Sequence, residues 1–155
     1  IYVECNPDAE LVLVLTNLSR REVNHEFTGK RGVVGRVSGS SNCKGLVDED
    51  PSVGQPKYLK AMDLRHDLPK QGLRLLEDAR KNNRIVLLCP RLEEWVLEAA
   101  RVARLNLAGY DLPTDPDRLR NVIDRDPRKI AKFQMVVQRL RDSDRLEALR
   151  GALVG

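Results

Sequence analysis

The apolar positions change period along this chain, and each change marks an element. Ile1, Tyr2 and Val3 form a short β-branched and aromatic run. It reads as a buried strand closing on Glu4 and Cys5. Asn6-Pro7-Asp8 then supplies a helix cap, a proline suited to the first turn and an acid at the positive end of the helix dipole. Leu11, Val14, Leu15 and Leu18 follow at helical spacing, so the opening is strand, tight turn, helix. A polar connection runs from Ser19 to Phe27, with a short strand expected at Glu22–His25. Thr28-Gly29-Lys30 is a turn, and Val33, Val34 and Val37 suit a short helix or strand. After the loop Gly39-Ser40-Ser41-Asn42, residues Cys43 to Asp48 read as a second core strand, stopped at Asp48-Glu49-Asp50-Pro51.

Residues 52–72 carry Gly54, Pro56, Pro69 and Gly72, and are expected to be the longest irregular and most mobile stretch. Leu73–Arg80 and Arg84–Cys89 flank Lys81-Asn82-Asn83, the pattern of two strands joined by a short turn. Helix competes for Leu73–Arg80; Ile85-Val86-Leu87-Leu88 is an interior strand. Pro90 opens a helix from about Arg91 to Arg104, with Leu92, Trp95, Val96, Ala99 and Ala103 as its apolar stripe. The remaining pattern is helical. Asp111 to Asp117 is a loop, and Asp115-Pro116 starts a short helix carrying Leu119, Val122 and Ile123. Lys129–Leu140 turns Ile130, Phe133, Val137 and Leu140 inward, and Asp144 with Glu147 resembles a capping box opening a last helix. Strands alternating with helices predict an α/β fold with a mainly parallel sheet, strands ending at Glu4, Asp48 and Cys89 being adjacent. Edge strands near Leu73–Arg80 are expected to run antiparallel. Residues 1–105 form the α/β part, and 106–155 a helical C-terminal extension packed on the same domain.

Composition narrows the function classes. The chain has 155 residues, 41% apolar and 32% charged, which suits one globular domain and excludes disorder. No apolar run has the length of a membrane span, and no signal peptide is visible, so a cytoplasmic location is expected. Cys5, Cys43 and Cys89 are odd in number and widely spaced, which argues against a zinc site or a disulfide framework. The net charge of +4 is compatible with a nucleic-acid partner. Aromatic residues make up only 4%, so a stacking platform for bases is not expected.

Against this basic background, acidic residues gather at predicted strand ends. Glu4 closes the first strand, Asp48 and Asp50 the second, and Glu93 begins the helix after the third. Ligands of open α/β sheets bind at the carboxyl ends of the strands, so these groups can share one edge. In extended chain, Asp48 and Asp50 at i and i+2 project to one side. Two adjacent carboxylates repel, and a hard cation such as Mg²⁺ relieves the repulsion while keeping waters and phosphate oxygens in its other positions. Glu4, beside Val3 in an interior strand, is rarely placed without a role or a partner. Asp8, one turn into the first helix, can point back at the same site. Asp8 and Glu93 are expected at the rim.

The order strand–Glu, acidic helix start, apolar strand–Asp-x-Asp is carried here by Ile1-Tyr2-Val3-Glu4, Asp8 and Gly45-Leu46-Val47-Asp48-Glu49-Asp50. It resembles the TOPRIM domain of bacterial primases, type IA and II topoisomerases and OLD-family nucleases. Gly29-Lys30 and Leu92-Glu93-Glu94-Trp95 bring it closest to the small OLD-nuclease-like branch. The resemblance covers roughly the first 100 residues. One departure is Cys5, where the family usually carries glycine. The resemblance implies a TOPRIM-like, Rossmann-like sheet and metal-dependent phosphodiester hydrolysis or transfer on DNA or RNA. Mg²⁺ or Mn²⁺ would be held by Glu4, Asp8, Asp48, Asp50 and Glu93. Glu4 would handle the proton, and Lys30 would stabilise developing negative charge. A larger protein complex is a further expected partner; a membrane is not. The alternative is a partner subunit or nucleic-acid-binding module of the same fold without turnover, which the Cys5 departure favours. A third reading, a haloacid-dehalogenase-type phosphohydrolase with Asp48 as nucleophile, gives Glu4 no task.

Overall fold

A computed structural model describes the whole chain from Ile1 to Gly155. The β-branched and leucine-rich runs pair into one mixed sheet of six strands: β1 (Tyr2–Val3), β2 (Asn24–His25), β3 (Lys44–Asp48), β4 (Asp63–Leu68), β5 (Leu73–Asp78) and β6 (Asn83–Leu88). Their spatial order is β2-β1-β3-β6-β5-β4. The first four in that order run parallel, β5 is antiparallel to β6, and β4 is antiparallel to β5. Seven α-helices flank the sheet or extend the chain: α1 (Asn6–Leu15), α2 (Gly29–Ser38), α3 (Lys57–Ala61), α4 (Leu92–Val102), α5 (Pro116–Arg125), α6 (Pro127–Leu140) and α7 (Asp144–Val154).

Strand periodicity divides the burial between two faces. Val3, Leu46, Val86 and Leu88 point to one face and, with residues of α1 and α4–α7, belong to a cluster of 26 buried apolar side chains. Val47, Leu76, Ile85 and Leu87 point to the other, where α2 and α3 complete a cluster of only nine. Most of the hydrophobic stabilisation therefore lies on the α1 face. On the thinner face α2 sits hard against β3 at Gly45, where an added Cβ would lie 3.0 Å from Val33 Cγ1. Asn83 closes this face at the end of the sheet remote from Asp48. Its buried amide donates to the carbonyls of Val37 (2.6 Å) and Ser40 (2.9 Å) and accepts from the Cys43 N–H (3.0 Å).

The strands ending at Glu4, Asp48 and Cys89 are adjacent, as the alternation of elements required. Other expectations need correction. The antiparallel course expected near Leu73–Arg80 holds for β5, and with β4 it makes the sheet mixed, not mainly parallel. The true edge is β4, inside the stretch 52–72 expected to be irregular; α3 forms there too. Every residue of β4 is exposed, so no apolar alternation announces it. Ala100 replaces Ala103 in the buried stripe of α4, since that helix ends at Val102. α7 starts at Asp144 with Ser143 in the N-cap position, but the buried Ser143 Oγ makes no capping bond.

The last three helices are not set apart from the sheet. Phe133, Val136, Val137 and Leu140 of α6 and Leu146, Leu149 and Leu153 of α7 belong to the same buried cluster as β1, β3 and β6. The buried Glu10 of α1 accepts from Gln134 of α6 and pairs with Arg20. Lys44 of β3 donates to the Leu153 carbonyl at 2.7 Å. No helix is long and apolar enough to cross a membrane.

Candidate carboxylate site at the strand ends

The parallel strands β1, β3 and β6 deliver their carboxyl ends to one edge, and the helices that follow β1 and β6 start there. Four acids meet at this edge. Glu4 leaves β1 and its Oε1 accepts from the backbone N–H of Asp48 at 2.6 Å. Asp48 ends β3 and its Oδ1 accepts from the Leu92 N–H, the first residue of α4, at 2.9 Å. A side chain from the neighbouring strand thus caps α4, where the helix dipole favours an anion. Asp8 lies in the first turn of α1 and accepts at Oδ2 from the Cys5 N–H (3.2 Å) and Cys5 Sγ (3.1 Å). Glu93 enters from α4, and its Oε2 is buried with no hydrogen-bond partner.

The depth of these groups differs from expectation. Asp8 is 3% exposed and Glu93 4%, so they form the floor of the site, not its rim. Glu4 and Asp48 are partly exposed and lie nearer solvent. Burial raises all four proton affinities, and like charge adds to it at Asp48, Asp8 and Glu93. Asp48 is pushed up to about 9 by burial, then by Asp8, Glu4 and Glu93. Asp8 is pushed up to about 7 by burial and Glu4. Burial also raises Glu4 and Glu93, opposed at Glu4 by the Asp48 N–H and Lys30. Burial and Asp8 raise the Cys5 thiol, which stays protonated as a donor and is no nucleophile.

Asp50 does not join the set. β3 ends at Asp48, and Asp50 turns into the left-handed region with φ +39°, so the extended i, i+2 geometry fails. Its N–H donates to the Pro90 carbonyl (2.9 Å) and its Oδ1 accepts from Ser52 Oγ (2.6 Å). Lys30, in the first turn of α2, sits beside the site with its Nζ on the Glu49 carbonyl (2.6 Å) and on Gln55 Oε1 (3.4 Å). Gly29 just before it has φ +64°, and a Cβ there would lie 3.6 Å from Glu4 Oε2. The turn needs glycine for its backbone angle and brings the α2 start against Glu4. At Cys5 the backbone is extended (φ −148°), so a side chain is accommodated without strain.

Two participants escaped the sequence. Arg120, on α5, lowers the proton affinity of both Glu4 and Glu93 by its positive field. Asp124, one turn on and 3.8 Å from the Arg120 guanidinium, opposes it at Glu93. Only the packing of α5 beside α4, fastened by Arg91 to Asp117 at 3.3 Å, brings them here; no local pattern announces it.

No three His, Cys, Asp or Glu side chains converge into a ready-made metal cage. The donor set still fits a hydrated Mg²⁺ or Mn²⁺, which needs only one or two direct carboxylates, with others acting through water. The orphaned Glu93 Oε2 is the atom that such a hydrated ion would satisfy. No family model, curated protein or solved structure matches the chain.

Proposed function

We propose that the carboxylate edge is a divalent-cation site of TOPRIM type, serving phosphodiester hydrolysis or transfer on nucleic acid. The observation that carries the reading is the buried, unpartnered Glu93 Oε2 in a floor shared with Asp8, beneath Glu4 and Asp48. Four acids held together at the price of raised proton affinities have no apolar purpose. Glu4 and Asp48 would hold Mg²⁺ or Mn²⁺, with Asp8 and Glu93 reaching it through water. When bound, the ion supplies charge neutralisation at the phosphate and a more acidic water.

The chain's own groups do the rest. Glu4 is half-buried, with Oε1 fixed by the Asp48 N–H, and Gly29 is held against its other oxygen. With Oε1 on the Asp48 N–H and its other oxygen offered to the ion, Glu4 has no oxygen left for the proton of an attacking water, which would pass to solvent. Lys30 and Arg120 place positive charge beside the acids and oppose their repulsion of a polyanion. Asp50, bonded to Ser52, has no ligand role in this scheme.

A second reading has its own support. Glu4, Asp48 and Asp8 each accept a backbone N–H, so each also ties elements together. The fold would then serve a nucleic-acid-binding or partner subunit without turnover. Incubation with single- and double-stranded DNA and RNA in Mg²⁺ or Mn²⁺ separates the two. Cleavage by the wild type and its loss in Asp48→Ala, with binding retained, supports the cation site. Intact substrates under all these conditions favour the binding subunit.

A further inference from the structure

Phe27 breaks the pattern of the chain's scarce aromatic residues. Phe133 and Trp95 are wholly buried, whereas Phe27 is 92% exposed. His25 packs beside it, ring centroids 4.7 Å apart and tilted by 41°. The ring is therefore propped on one side and open to water over most of its surface.

The loop presenting it is held on both flanks. The Glu26 N–H donates to the Val3 carbonyl at 2.9 Å, continuing the pairing of β2 with β1. The Gly29 N–H donates to the Glu26 carbonyl at 3.0 Å, and Glu26 pairs with Arg36 at 3.1 Å. Two residues beyond Phe27, Gly29 lies against Glu4 Oε2. The exposed ring thus stands at the carboxylate edge. Its local charge is favourable to an anion: Glu26 is neutralised by Arg36, while the exposed Arg31 has no ion pair or side-chain hydrogen bond.

We propose that Phe27, backed by His25, is a stacking platform for an unpaired base beside the carboxylate site, so that the preferred substrate is single-stranded nucleic acid. A base has a π-face to lay on the ring whatever its identity, and the exposed Arg31, four residues on in α2, offers a cation to the adjoining phosphates. A closed duplex keeps its bases stacked on one another and leaves the ring unused. One well-placed ring suffices, which is why the low aromatic content of the chain concealed it. The inference rests on the nucleic-acid reading above and names its substrate class.

The test is binding of short labelled oligonucleotides, single-stranded and as a closed hairpin, followed by fluorescence anisotropy in chelator so that nothing is cut. Phe27→Ala is expected to weaken single-strand binding by about five- to a hundred-fold. Phe27→Trp should restore it, and hairpin binding should not change. Equal single-strand affinity of Phe27→Ala and wild type overturns the proposal, as does equal loss on both substrates. Self-association in sedimentation that depends on Phe27, with single-strand binding unaltered, assigns the ring to a contact between copies and also overturns it. If Phe27→Ala binds normally while Asp48→Ala abolishes cleavage, only the stacking platform falls. If the wild type neither binds nor cuts any nucleic acid, the functional reading falls with it.

Discussion

Replacing Asp48 by asparagine should stabilise the metal-free protein, and only at neutral to alkaline pH. An aspartate in the unfolded chain ionises near 3.9. In the fold Asp48 is pushed up to about 9 by burial and by Asp8, Glu4 and Glu93. Folding at pH 7 therefore retains a proton over about three decades of affinity, at about 1.4 kcal/mol per decade, which puts an upper figure of about 4 kcal/mol on the penalty. Part of this is shared with the three neighbouring acids, and relaxation around the site removes more. A net gain of about 1–3 kcal/mol is the expected remainder. Asparagine keeps an oxygen for the Leu92 N–H, so the cap on α4 survives. The sign follows from the raised affinity. The stability associated with Asp48 is complete below about pH 4 and declines as pH rises toward 9. Thermal unfolding by circular dichroism in chelator at pH 4, 6 and 8 reads the effect. At this chain length the Tm of Asp48→Asn should exceed wild type by about 3–10 °C at pH 8 and match it near pH 4. A variant less stable at pH 8, or equally shifted at all three values, refutes the picture of repelling buried acids.

Three further outcomes follow from the same geometry. Adding Mg²⁺ or Mn²⁺ at pH 8 should raise the Tm of the wild type, by about 2.7 kcal/mol of stability at a hundredfold excess over Kd, and should leave Asp48→Asn unmoved in differential scanning fluorimetry. Gly29→Ala should cost about 1–2 kcal/mol in denaturant unfolding, because its φ of +64° is left-handed, while the added Cβ meets Glu4 only at ordinary contact distance. Phe133→Ala should cost about 3–5 kcal/mol and preserve a single cooperative transition, since α6 lies in the same core as the sheet; a separate early transition for the C-terminal helices contradicts that packing.

What could be read in the sequence followed the strength of local patterns. Ile85–Leu88 is a continuous apolar run with little helical competition, and it is the centre of β6. Glu4 and Asp48 came to one edge because parallel strands joined by helices leave no other arrangement for their ends. β4 was illegible for a plain reason: Asp63–Leu68 is exposed on both faces, so burial imposed no alternation on it. Asp50 departs from the i, i+2 expectation because β3 ends at Asp48 and a left-handed turn before Pro51 takes over. Asp8 and Glu93 sit in first helical turns, where acids usually face water, and their burial here comes from tertiary packing that no local pattern records. Arg120 reaches the site only through the packing of α5 beside α4, and no local sequence pattern announces it.

The central claim is that the acids at the ends of β1 and β3 exist to hold a divalent cation. Anomalous diffraction from crystals soaked in Mn²⁺ near pH 8 tests it most directly. The account predicts a manganese peak within coordination distance of Glu4 and Asp48, with Asp8 and Glu93 reached through its waters and no peak in Asp48→Asn crystals. A wild-type map with no peak at this edge at saturating Mn²⁺ would contradict it, and would leave the four acids as proton-holding ties between the strands and helices they join.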